Sequence, residues 1–143
     1  MKIKIISKSG VLPSYATPGS AGADIRAWVK EPITLQPGER RLIPTGLYVE
    51  LPPGVEAQVR ARSGLSIRHG LGLVNGVGTV DSDYRGEWTI PVINFGQEPY
   101  TIQNGDRIAQ VIFSRYIQGE FQQVTFLEET ERGDGGFGHT GLK

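Results

Sequence analysis

"VEAQVRAR", residues 55–62, is the stretch that decides the fold. Val55, Ala57, Val59 and Ala61 fall on one side of an extended chain and Glu56, Gln58, Arg60 and Arg62 on the other. That period of two is the mark of a strand with one buried face. A helix would scatter the same residues around its surface. Just upstream, "LYVEL" (47–51) repeats the alternation with Leu47, Val49 and Leu51, and "PPG" at 52–54 stops it. Further strands are expected at 2–6, 32–35, 40–43, 71–74, 88–95, 100–102, 107–116 and 121–126, with little helical periodicity anywhere. About ten short strands between frequent turns predict an all-β sandwich or jelly roll. One segment departs from this. "SGLSIRHG" (63–70) has Ser63 placed as an N-cap, apolar Leu65 and Ile67, and Gly70 where a helix would stop, so one or two helical turns are expected.

A chain of 143 residues suits one domain with a real core. It contains no cysteine, which excludes disulfides, thiolate metal sites and a cysteine nucleophile and fits a reducing compartment. Fifteen basic and fifteen acidic residues balance to a formal charge of zero, which argues against broad electrostatic binding of nucleic acid or membrane. An anionic ligand would have to be held locally. The apolar run in "MKIKIISKSG" is far too short for a signal peptide or membrane span, so a soluble, cytoplasmic protein is expected. After the acidic run "LEETE" the chain becomes glycine-rich, with five glycines between 133 and 141 and one ring, Phe137, among them. Glycine is costly to order, so 128–143 reads as a flexible arm on a body formed by 1–127.

Four internal segments could carry chemistry. In "ARSGL" (61–65), a strand delivers Arg62 beside the Ser63 hydroxyl and the backbone donors of Ser63 and Gly64. That set suits a phosphate, although Ser63 could equally be only a cap and Arg62 only a solvated charge. A serine nucleophile lacks support, because His69 and His139 offer no clear base and orienter. "NGVGTVDSDYRGEW" (75–88) opens with the hairpin signal Asn75-Gly76 and returns as a strand carrying Asp81, Asp83 and Tyr84. Asp81 follows Gly78-Thr79-Val80, where partial desolvation would suit a general base; an acidic turn is the plainer alternative. Asp24 in "SAGADIRA" (20–27) is either a turn cap or a carboxylate that reaches magnesium or its waters. In "NGDRIAQVIF" (104–113), Ile108, Gln110 and Ile112 share a face, and the amide needs a partner.

These segments, with the arm, resemble in order and spacing the five motifs of the trimeric deoxyuridine triphosphatases (dUTPases). "AGADIRA" resembles the first, "RSGLS" the second, "GTVDSDYRGE" with the preceding "NG" the third, "GDRIAQVIF" the fourth and "RGDGGFGHTG" the fifth. Together they run from 20 to 141. The resemblance implies a jelly-roll subunit, a homotrimer with sites at subunit interfaces, and Mg2+-dependent hydrolysis of dUTP to dUMP and pyrophosphate. Such activity keeps uracil out of DNA and supplies dUMP for thymidylate synthesis.

It also implies roles for particular residues. Asp81 would deprotonate the water attacking the α-phosphorus. Ser63, Arg62 and the Gly64 backbone would hold the phosphates, and Gln110 would bond near the α-phosphate and that water. Asp24 would hold magnesium through coordinated water. Asn75 and the backbone around Gly78 would read uracil, and Tyr84 would lie beneath the deoxyribose. From the arm, Phe137 would stack on uracil, Arg132 would reach the terminal phosphate, and Gly138 and Thr140 would contact the phosphates. His139 stands where serine is commoner in the family, which leaves its role open. Two rival readings remain. A dCTP deaminase shares the fold and an "RS" motif but lacks the arm and the Asp81–Tyr84 pairing. A non-catalytic dUTP-binding or regulatory protein would have no need of Asp81.

Overall fold

The computed structural model describes residues 1–136. Their order is β1 (Lys4–Ser7), β2 (Ser14–Tyr15), β3 (Ala23–Arg26), β4 (Ile33–Leu35), β5 (Arg40–Ile43), β6 (Leu47–Glu50), β7 (Val55–Arg60), α1 (Ser63–His69), β8 (Leu71–Leu73), β9 (Val77–Val80), β10 (Ile90–Asn94), β11 (Tyr100–Ile102) and β12 (Arg107–Arg115). Every named pairing is antiparallel. The largest sheet runs β2-β3-β12-β7-β9; a three-stranded sheet runs β5-β10-β8, and β1-β6 and β11-β4 form two-stranded ribbons. This is the expected mostly-β layering, with sheets that do not close on themselves.

The alternation that announced β7 is realised in full: Val55, Ala57 and Val59 are buried while Arg60 is exposed. The inward residues of the large sheet, Ile25, Ala57 and Val111, meet Ile43, Ile90 and Val92 from the three-stranded sheet, with Leu35 and Ile102 from the small ribbon. The buried Asn94 is fully engaged: Nδ2 donates to Leu35 O and Glu98 O, and Oδ1 accepts from Gly96 N. Buried amides satisfied in this way fix one packing arrangement.

Three expectations change. No strand forms over 121–126; Phe121 and Phe126 are 101% and 80% exposed, because no strand edge of the same chain lies beside them to pair with. Asn75-Gly76 makes a turn, with Gly76 at φ 68°, but it is a corner and not a hairpin. β8 pairs with β10 and β9 with β7, so the turn carries the chain from one sheet to another. Finally, β9 ends at Val80, so Asp81, Asp83 and Tyr84 lie on the following turn, closed by Tyr84 N donating to Asp81 O.

Candidate active site

The third strand places Asp24 beside Gln110 of β12, and Gln110 in turn stands opposite Arg60 of β7. A bulge between Arg107 and Ala109 resets the side-chain faces of β12. Ile108 therefore turns inward with Ala109, while Gln110 and Ile112 point to the other face, which separates Ile108 from its two expected companions. The Gln110 amide finds its partner across the sheet: Nε2 donates to Ala61 O at 2.9 Å. It fits there because residue 22 is glycine; a Cβ at Gly22 would overlap the amide oxygen and lie 3.0 Å from Cδ.

Where β7 ends, Arg62 is the N-cap of α1 and makes no side-chain cap bond. Ser63 is thus the first helical residue and not the cap. An extended Arg62 lets its carbonyl take the first helical bonds from Leu65 N and Ser66 N, which leaves the Ser63 hydroxyl without a capping duty. Gly70 ends the helix at φ 70°, as expected. The Arg62 side chain folds back over the sheet, Nε donating to Asp24 Oδ1 at 2.9 Å and Nη1 to Arg107 O at 3.1 Å. Arg107 Nη1 donates to Asp24 Oδ2 at 3.1 Å. Asp24, Arg62, Ser63, Gly64, Arg107 and Gln110 line one polar recess.

A second cleft is lined by Asn75, Gly78, Thr79, Asp81, Tyr84, Trp88 and Pro91. The Tyr84 hydroxyl donates to Glu87 O at 3.1 Å, and glycine at 86 is what admits the ring. β9 is the open edge of its sheet, so half of its backbone donors and acceptors have no strand partner in this chain. Asp81 is exposed and not partly desolvated as the sequence suggested, since no element among the described residues covers the end of β9.

The two clefts do not meet in one subunit. Val80 pairs with Ala57, so Asp81 lies toward the start of β7, whereas Ser63 lies beyond its end. The six steps from Ala57 to Ser63 span about 20 Å of extended chain.

The family model described as dUTPase matches residues 8–141. The chain belongs to the dUTPase family. A deoxyuridine 5'-triphosphate nucleotidohydrolase of Finegoldia magna is 59% identical over 142 residues, covering 99% of both chains. One from Fusobacterium nucleatum is 54% identical, covering 99% of this chain and 97% of its own. Among solved structures, a mutant of the Staphylococcus bacteriophage 80alpha dUTPase with dUpNHpp superposes with TM-score 0.88 at 26% identity, covering 99% of each chain.

Within this family member, Arg132 is exposed on the arm, its Nε donating to Gly135 O at 3.0 Å. Phe137, Gly138, His139 and Thr140 lie outside the described residues. Arg107 carries no distinctive signal in the sequence, because in an alternating strand it reads as one more solvated charge. Its partner stands 83 residues away, and only the register of β12 on β3 brings the two together.

The donor set also tests the expected metal. No trio of His, Asp or Glu side chains fit to hold a metal ion occurs among the described residues. Both Asp24 oxygens already accept from guanidinium groups, so the carboxylate suits contact through a water shell and not direct ligation. That fits Mg2+ carried mainly by substrate phosphates, since this ion keeps several waters and seldom needs an all-protein cage.

Proposed function

We propose that the protein is a dUTP diphosphatase, hydrolysing dUTP to dUMP and pyrophosphate in sites assembled between copies of the chain. Family membership supports the reaction. The observation that supports its architecture is the separation of the Asp81 cleft from the Arg62–Ser63 recess by the length of β7. In this reading the open edge of β9, with Gly78 and the Asn75 amide, offers uracil the backbone donor and acceptor pattern that cytosine would mismatch. A base edge left unpaired at such a site is penalised strongly. Tyr84 lies beneath the deoxyribose, where a 2′-hydroxyl would meet the ring.

Asp81 accepts a proton from a water whose oxygen attacks the α-phosphorus in line. The Pα–O bond to the β-phosphate breaks as the new P–O bond forms, and the electron pair leaves with pyrophosphate. Contributed by another copy, Arg62, the Ser63 hydroxyl and the Gly64 amide hold the phosphate oxygens as charge moves outward. Gln110, anchored on Ala61 O, is placed to bond an α-phosphate oxygen or the water. Asp24 would hold Mg2+ through coordinated water, and the ion would supply charge neutralisation along the triphosphate.

The body of the subunit is 1–127, and 128–143 is an arm that closes over the nucleotide. Arg132 then reaches the terminal phosphate, Phe137 stacks on uracil, and Gly138 and Thr140 meet the phosphates. Stacking on a base is worth about 1–3 kcal/mol in single-strand binders, enough to offset part of the arm's ordering. A homotrimer in the cytoplasm completes the reading. Association between copies is supported by the stretch 117–127, where Ile117, Phe121, Phe126 and Leu127 are each at least 80% exposed.

Measuring pyrophosphate release from dUTP and dCTP, with Mg2+ and with a chelator, tests the proposal. Rapid, Mg2+-dependent release from dUTP alone is expected. Ammonia release from dCTP would point to the deaminase, and tight dUTP binding without turnover would point to a sensor.

A further inference from the structure

We infer that Arg107 is a second phosphate-binding arginine of this site, and that Asp24 is the positioning residue that holds it there. The inference rests on the reading of the recess as the triphosphate cradle. Three observations carry it.

First, Arg107 is fixed at both ends of its residue. Its carbonyl accepts from Arg62 Nη1 and its Nη1 donates to Asp24, so the two guanidinium groups flank one carboxylate in a closed circuit. Second, the circuit leaves donors over. Arg107 Nε and Nη2 and Arg62 Nη2 make no hydrogen bond within the described residues, and both side chains line the same recess as the Ser63 hydroxyl. Third, charge favours an anion. Two guanidinium groups against one carboxylate leave a net positive charge in a recess where the Asp24 and Arg62 side chains are only 14% and 25% exposed.

If the circuit were only structural, one arginine would balance Asp24. Placing two around a single carboxylate leaves an arginine's worth of charge for a ligand, and a planar fork suits phosphate oxygens. The bulge at the start of β12 contributes to the placement, because it lets Arg107 and Gln110 both serve the recess although their offset along the strand is odd.

The test is calorimetric binding of α,β-imido-dUTP and of 2′-deoxyuridine to the assembled protein, each with Mg2+ and with a chelator. Arg107→Ala is expected to weaken binding of the imido nucleotide about tenfold or more in both conditions and to leave deoxyuridine unchanged. Arg107→Lys keeps the charge but not the fork and should recover part of the loss. In an Asp24→Asn background the Arg107→Ala loss should shrink to less than half, because the arginine is already released.

Undiminished binding of the imido nucleotide by Arg107→Ala would overturn the phosphate role. A loss shared equally by deoxyuridine would show disrupted packing instead. Additive losses in the double variant would overturn the positioning role of Asp24. If the unaltered protein bound no imido nucleotide, the functional reading itself would fall, which keeps the two failures apart.

Discussion

Asp81 sits one residue past the end of β9, exposed in the isolated subunit and without a hydrogen-bonding partner from the large sheet. A carboxylate used as a base needs this freedom until substrate and a neighbouring copy enclose it. Asp81→Asn should hold α,β-imido-dUTP within about tenfold of the unaltered protein while kcat falls by about 10²–10⁴. Fast turnover by that variant would remove the proposed base. Gly22 is a subtler case, since its missing Cβ is the space the Gln110 amide occupies. Gly22→Ala should push the amide off Ala61 O and lower kcat by about tenfold, with the thermal midpoint moving by about 3 °C or less. An unchanged kcat would mean that the amide position is unimportant. The need of Gln110 for a partner was readable in one dimension and is met by Ala61 O. The Arg107–Asp24 contact was not, because it depends on strand register, which local sequence does not encode.

Among the elements, those defined by alternation were the most legible. β5 and β11 span the residues anticipated, and β7 stops two residues early only because Arg62 must turn into α1. What failed was partnership. "NG" announces a turn but not whether the chain returns to the same sheet, and here it changes sheets. The strand expected over 121–126 finds no edge to pair with among the described residues. Ser63 as a cap failed for a local reason, since the extended residue that ends a strand can itself be the cap, and Arg62 is. None of residues 131–136 is buried, so the chain past Thr130 should be dispensable for folding. A chain ending at Thr130, or Phe137→Ala, should keep its mass in solution and its thermal midpoint while kcat/KM for dUTP falls by about tenfold or more. Dissociation of either variant would make the arm a structural strap.

At the level of the assembly, Asp81 is proposed to serve a triphosphate held by another copy, because β7 keeps Asp81 and Ser63 of one chain about 20 Å apart. In a closed symmetric assembly each copy would lend a base to one site and a cradle to another. Co-expression of two differently tagged variants, Asp81→Asn and Arg62→Ala, followed by isolation of mixed assemblies, tests this most directly. Each variant alone should be nearly inactive. In each mixed trimer one of the three sites joins an intact base to an intact cradle, so isolated mixed trimers should recover about a third of the unaltered turnover. Mixed assemblies no more active than the two variants kept apart would place base and cradle in the same chain and contradict the account.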